Sequence, residues 1–157
     1  MSLVFKKIVA AVDVNDSLAE IVLMTARDLA EASGGELHVF DAVPFINTID
    51  SPYEIGSLQL EQLAHQQEDE QRRSSTAALV KRIAPNAIAR VEEGDASQGV
   101  TDHARKVDAD LIVVGSHQKN WWLSLIQGSE SRDVIREAPC AVFVVTSAHK
   151  KRIAAQT

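Results

Sequence analysis

The chain has 157 residues, 45% of them hydrophobic, enough for one domain with a full core and no need of disulfide or metal staples. A formal charge of -6 and a pI near 5.3 exclude a dedicated nucleic-acid surface, because neutralising phosphates takes clustered Lys and Arg. No apolar run approaches the roughly 20 residues of a membrane helix, the N-terminal residues carry no signal-peptide core, and the single cysteine gives no sign of an oxidising compartment, so a cytoplasmic protein without membrane insertion is expected.

Short apolar runs alternate with longer helical stretches, the pattern of a parallel sheet covered by helices on both faces. Lys7 to Val12 reads as the first strand, with Asp13 at its carboxyl end. Asn15, Asp16 and Ser17 offer caps for a helix whose apolar stripe is Leu18, Ile21, Val22, Ala26 and Leu29, and Gly34-Gly35 ends it. Glu36 to Val43 is the second strand, and Pro44 to Ser57 a long connection. The next helix is expected from about Leu58. Its polar middle, His65 to Thr76, reads as a solvated face, with Glu68 and Arg72 spaced for a surface ion pair.

Ala87 to Glu93 is the third strand, and Gly94-Asp95 leads into a helix that buries Val100, Ala104 and Val107. Asp110 to Val114 is the fourth. A loop from Gly115 to Gln127, a helix from about Ser129 to Glu137 and a last strand, Ala141 to Val145, complete the unit. Cys140, in the setting Ala-Pro-Cys-Ala-Val, reads as a small buried thiol. One domain over residues 1–147 and a basic polar tail over 148–157, with Lys150-Lys151-Arg152 solvated, are expected. The fold class is α/β: an open parallel five-stranded sheet of order 3-2-1-4-5 with helices on both faces. Right-handed crossovers make such a chain reverse direction once, which opens a crevice at the carboxyl ends of the central strands and places Asp13 and Gly115 there.

Gly115-Ser116-His117 after a strand and Gly128-Ser129 opening a helix supply what an anion site needs: backbone that a ligand approaches closely and free N–H groups at a helix start. The alternative is that Gly115 makes a turn and Ser129 caps a helix. His117 lies at the crevice, within reach of a phosphate or of a loop hydrogen bond. The five histidines show no zinc-ligand spacing. Trp121-Trp122 read either as anchors of their loop or as a protein-partner surface.

From Val113 to Val145 the chain resembles the universal stress protein signature, in which a strand ends in Gly, two residues precede a second Gly, and nine more precede Gly-Ser or Gly-Thr. Here Val113-Val114-Gly115-Ser116-His117-Gln118 is followed by nine residues and Gly128-Ser129. The closing run Ser131 to Val145, and Lys7 to Asp13 at the other end, are similar to the family as well. The resemblance implies a small stress-response module, dimeric across Ala141 to Val145, that takes ATP, with magnesium, or another adenine nucleotide. Carried over by position, the contacts fall on Val12 and Asp13, on Asp41, and on Val114, Gly115, Gln118, Gly128, Ser129, Glu130 and Ser131. Gln118 stands where the family has its second glycine, which predicts weak binding because a side chain now occupies the path of backbone towards phosphate. Asp41 replaces a usual apolar residue. His117-Gln118 followed by Trp is similar to the branch of the family that does not hold ATP.

Nothing in the sequence supplies an evident base, nucleophile or metal cage, so no catalytic or metal residue is assigned and a binding module is expected. The alternative is an ATP-hydrolysing or nucleotide-dependent transferase enzyme on the same fold, with Asp13 helping to hold a metal and Ser129 the phosphates. A phosphoacceptor receiver domain shares the architecture, but Asp13 has no acidic neighbour before it and the last strand is not followed by Lys-Pro. Neither Gly-x-x-x-x-Gly-Lys-Ser nor an early Gly-x-Gly-x-x-Gly is present.

Overall fold

The computed structural model describes residues 5–44, 55–117, with side chains from 59 onward, and 138–157. Five parallel strands, β1 (Lys7–Ala11), β2 (Glu36–Val43), β3 (Ile88–Glu93), β4 (Leu111–Gly115) and β5 (Ala141–Val145), pair in the order β3-β2-β1-β4-β5. That is the order the sequence predicts. The central strand β1 is in register with Ala11 beside both Phe40 of β2 and Val114 of β4. Val12 falls just past β1, yet its N–H still reaches the Phe40 carbonyl at 2.9 Å and continues the ladder direction. A strand buried on both faces must be apolar at every position, and Ile8, Val9 and Ala10 are fully buried.

Helix α1 (Ala19–Ser33) and the C-terminal part of α2 (Ile55–Ile83) cover one face, where Leu18, Val22, Leu23, Ala26, Val80 and Ile83 pack on Ile8, Ala10, Val39 and Val113. Helix α3 (Ala96–Lys106) covers the other, with Val100 and Ala104 on Val9, Phe40, Ile112 and Val114. Gly34 ends α1 in the left-handed region at φ 64°, a conformation that glycine adopts without strain. A Cβ on Gly35 would come within 2.3 Å of the Phe5 carbonyl, so the chain can turn into β2 this closely only without one. Asp110 secures the start of β1: its Oδ2 accepts from the backbone N–H groups of Lys6 and Lys7 at 2.8 and 2.9 Å.

Two expectations change. Helix α2 begins at Ile55 instead of near Leu58. Residues 148–157, expected as a tail, instead lie mostly in a fourth described helix, α4 (Ser147–Ala154), capped by Thr146, whose Oγ1 accepts from the His149 N–H at 3.2 Å. Ala148, Lys150, Lys151, Arg152 and Ala154 are good helix formers, and a cap suffices to start them. The basic residues of α4 are exposed, as expected. The expected helix from Ser129 to Glu137 lies outside the described residues.

Candidate functional site

The chain reverses direction between β1 and β4, so the crevice predicted by topology opens between the loop after β1 and the residues after β4. The β1 side is a compact turn. Asp13 Oδ1 accepts from the Asn15 N–H at 3.0 Å, the Asp13 carbonyl accepts from the Asp16 N–H at 2.9 Å, and Asp16 Oδ1 accepts from the Leu18 N–H at 2.6 Å. None of the three cap candidates caps α1 by its side chain: the N-cap is Leu18, and Asp16 holds the turn that precedes it. On the β4 side, the Ser116 N–H donates to the Val145 carbonyl at 2.8 Å, and His117 projects back across the crevice. Its Nδ1 lies 3.3 Å from Asp16 Oδ1 and 3.5 Å from Ser17 Oγ, so the histidine makes the loop hydrogen bonds that the sequence left open.

Val12, Asp13 and Gly115 are brought together as predicted, around a space of only about 10 Å³ shared with Asp16, Leu18 and Val22. Space at Gly115 is tight: an added Cβ would lie 3.3 Å from Val22 of α1 and 3.4 Å from its N-cap Leu18. Val114 points the other way, into the α3-side core. The roomier space lies beside this point, a cleft of about 330 Å³ lined by Asn15, Val43, Pro44, His65, Gln71 and Arg72 among others. That volume is at the lower end for small-ligand sites. Gln118, Gly128, Ser129, Glu130 and Ser131, with Trp121 and Trp122, lie outside the described residues.

Asp41 is the site's deepest charge, its side chain 0% exposed. A carboxylate there requires a cation and full hydrogen bonding, and α2 supplies both. Arg72 Nε lies 3.2 Å from each Asp41 oxygen, Arg72 Nη2 donates to Asp41 Oδ1 at 2.6 Å, and the buried Thr76 hydroxyl donates to Oδ2 at 2.8 Å. The same Nη2 reaches Asp13 Oδ1 at 3.0 Å. One guanidinium thus ties the end of β1 to β2. Burial works to lower the Arg72 pKa, but the hydrogen bond and charge of Asp41, joined by Asp13, hold it above its ordinary value.

The expected Glu68–Arg72 surface pair is therefore corrected: Arg72 turns inward because Asp41 offers a buried charge that no other described cation neutralises. Arg72 and Thr76 are the site residues that sequence reasoning missed. The signal was their place on the inner stripe of α2, where Arg72, Thr76, Val80 and Ile83 recur at helical spacing.

His103 and Cys140 stand outside this cluster. His103, stacked on Phe40 at 5.6 Å between ring centroids, has no hydrogen-bond partner on either ring nitrogen among the described residues. Burial first, then the neighbouring His38, pushes it below the ordinary imidazole value. Cys140 is half-buried, and burial followed by the Asp110 charge pushes its thiol up, as for an unreactive side chain. Among the described residues no group of three or more His, Cys, Asp or Glu is placed to hold a metal ion. No helix among them is long and apolar enough to cross a membrane.

A doubly wound sheet with an acid after β1 and a glycine ending β4 at the switch point defines a small α/β protein with a crevice at the carboxyl ends of its central strands. A profile of the universal stress protein family matches residues 5–146, and the chain belongs to that family. It is 30% identical over 148 residues to a putative universal stress protein of Staphylococcus saprophyticus, covering 91% of this chain and 84% of that one. Among solved structures it is similar to hypothetical protein MJ0577, with a TM-score of 0.66 at 20% identity, covering 92% and 97% of the two chains. Two further neighbours are a universal stress protein from Archaeoglobus fulgidus in complex with dAMP (TM-score 0.53, 23% identity, 90% and 98% covered) and a universal stress protein in complex with cAMP (TM-score 0.54, 17% identity, 91% and 98% covered).

Proposed function

We propose that this chain is a cytoplasmic stress-response module that binds an adenine nucleotide weakly at the β1–β4 crevice and acts through dimerisation or a protein partner. The observation that carries the reading is the meeting of Val12, Asp13 and Gly115 at the switch point, next to a cleft of about 330 Å³. Neighbours of the same fold are solved in complex with cAMP and dAMP, which supports an adenine nucleotide as the ligand class. In this reading Val12, Asp13, Asp41 and the Val114-Gly115 backbone receive the nucleoside. Gly128, Ser129, Glu130 and Ser131 hold the phosphates, and Gln118 weakens that end. The domain spans residues 1–147. Trp121 and Trp122 are the candidate partner surface, and the apolar edge of β5 is the dimer surface.

Binding is favoured over turnover by the state of Asp13. Oδ1 of the carboxylate that a hydrolase would use to hold magnesium already accepts from Arg72 and from the Asn15 N–H. We assign any magnesium that accompanies ATP to the phosphates and not to protein ligands. The test is extraction of the purified protein under denaturing conditions, followed by calorimetry with AMP and ATP and a turnover assay with and without magnesium. Nucleotide in the extract, or saturable heat without turnover, is expected. Absence of both nucleotide and heat at millimolar ligand would end the binding reading, and magnesium-dependent turnover would replace it with the enzyme.

A further inference from the structure

Helix α4 leaves β5 without a loop, since Val145 ends the strand and Thr146 caps the helix. Gly115 is in register with Val145, so α4 begins at the same carboxyl rim of the sheet as the crevice. It carries His149, Lys150, Lys151 and Arg152, and an acidic chain thereby sets a basic cluster on this rim. Lys150 is the member that reaches the crevice loop: its Nζ donates to the Ser17 carbonyl at 2.6 Å. His117 arrives at the same residue from the β4 side, 3.5 Å from Ser17 Oγ. Two nitrogen-bearing side chains from separate elements converge on the mouth of the crevice.

The electrostatic standing of Lys150 differs from that of its neighbours. Arg72 faces two carboxylates and Arg82 is paired with Glu20. Lys150 rests on a neutral carbonyl and forms no ion pair with a described carboxylate. Its charge is nevertheless felt nearby. Glu20 lies below its ordinary pKa through its hydrogen bond from Arg82 first, with Lys150 contributing. An ammonium has three donors on a flexible stem, and a phosphoryl oxygen is a stronger acceptor for it than a peptide carbonyl.

We propose that Lys150 is a further anion-binding residue at the mouth of the crevice, exchanging the Ser17 carbonyl for a phosphoryl oxygen of the bound nucleotide. This rests on the nucleotide reading above and adds to the phosphate end of that site a residue from a helix outside the strand-and-loop framework. Calorimetry with adenosine, AMP and ATP, at one low ionic strength, tests it on the full chain and on Lys150→Met, Lys150→Arg and Lys151→Met. All three variants are at exposed positions of α4, so the fold is retained.

The expected result is that Lys150→Met weakens AMP and ATP about tenfold, the worth of one charge-assisted hydrogen bond, and moves adenosine less than about twofold. Lys150→Arg retains most of the affinity. Lys151→Met, whose side chain is turned about 100° around the helix, leaves all three ligands within about twofold. Unchanged ATP affinity in Lys150→Met overturns the proposal, as does an equal loss in Lys151→Met, which would show only diffuse charge. If the unaltered protein binds adenosine and ATP alike, the phosphate contact fails while nucleoside binding stands. If it binds neither, the nucleotide reading falls and takes the proposal with it.

Discussion

Arg72→Met is expected to cost about 3–5 kcal/mol of folding stability at neutral pH, because it strands a buried carboxylate. The Asp41 side chain is fully enclosed and accepts from Arg72 Nε, Arg72 Nη2 and the Thr76 hydroxyl. With the guanidinium gone only the Thr76 hydroxyl remains, a neutral hydrogen bond worth roughly 1 kcal/mol net. The desolvation of a carboxylate, several kcal/mol even after relaxation, is then uncompensated. Asp13 adds little to the loss, since its side chain is 41% exposed and exposed pairs contribute roughly 0–1 kcal/mol. Against a total stability of about 5–15 kcal/mol, this single change removes a large share. Urea unfolding followed by circular dichroism measures it, with a lowered midpoint and an unchanged slope. The companion is the double variant Asp41→Val with Arg72→Met. Replacing both charges by apolar groups is expected to restore most of the loss, as buried pairs exchanged whole for apolar residues are near neutral. A loss below about 1 kcal/mol for Arg72→Met, or a double variant no more stable than the single one, refutes the argument.

The folded value of His103 lies below its unfolded one, so as pH falls the unfolded chain takes up the proton first and stability declines below the ordinary imidazole value. In His103→Leu, unfolding free energies between pH 7.5 and 5.5 should show a shallower decline; an identical slope contradicts this. Asp95 caps α3 by accepting from the Gln98 N–H at 2.9 Å, and its carboxyl is held low by the Ser97 hydroxyl first and that N–H second. Asp95→Ala should cost about 1 kcal/mol at neutral pH, with the difference vanishing as pH falls through the folded pKa of Asp95. On β5, Val142 and Phe143 are 39% and 43% exposed, while Val144 packs against the α3-side core. Phe143→Lys should therefore weaken the proposed dimer without disturbing the core, read as a shift towards monomer in light scattering. A monomer at micromolar concentration before mutation removes the dimer altogether.

The sheet was legible because each strand is a short apolar run between polar turns, and parallel strands buried on both faces admit little else. Gly34 and Asp95 marked helix ends through chemistry that is local to them. Asp41 is different. A lone acid inside the β2 run announces a buried cation, yet the sequence offers many arginines and does not say which one arrives. Charge was equated with exposure over His65 to Thr76, and the rule failed most clearly at Arg72 and Thr76, with His65 and Asp69 half-buried on the same stripe. The packing of His103 on Phe40 was invisible for a related reason, since residues far apart in the chain meet there only once α3 lies on the sheet. At the C-terminus, charge density suggested a tail where propensity and the Thr146 cap build a helix.

Helix α2 is held to the sheet over only part of its length. Its buried residues among those described are Thr76, Val80 and Ile83; further out the contacts thin to half-buried Arg72, Asp69 and His65, the last 3.8 Å from Glu93 of β3, and Leu60 and Leu63 are 70% and 56% exposed. Most helical stability in a protein comes from packing one face of the helix, and the outer half of α2 has little of it. The outer half of α2 therefore has a local opening free energy far below that of the domain, although both halves share one continuous backbone ladder. Amide protons from about Leu60 to Asp69 should exchange with solvent orders of magnitude faster than those from Thr76 to Ile83. A protease added to the native protein should make its first cuts in α2 on the outer side of Arg72. The guanidinium that neutralises Asp41 thus lies where the helix passes from a loosely held to a tightly packed segment.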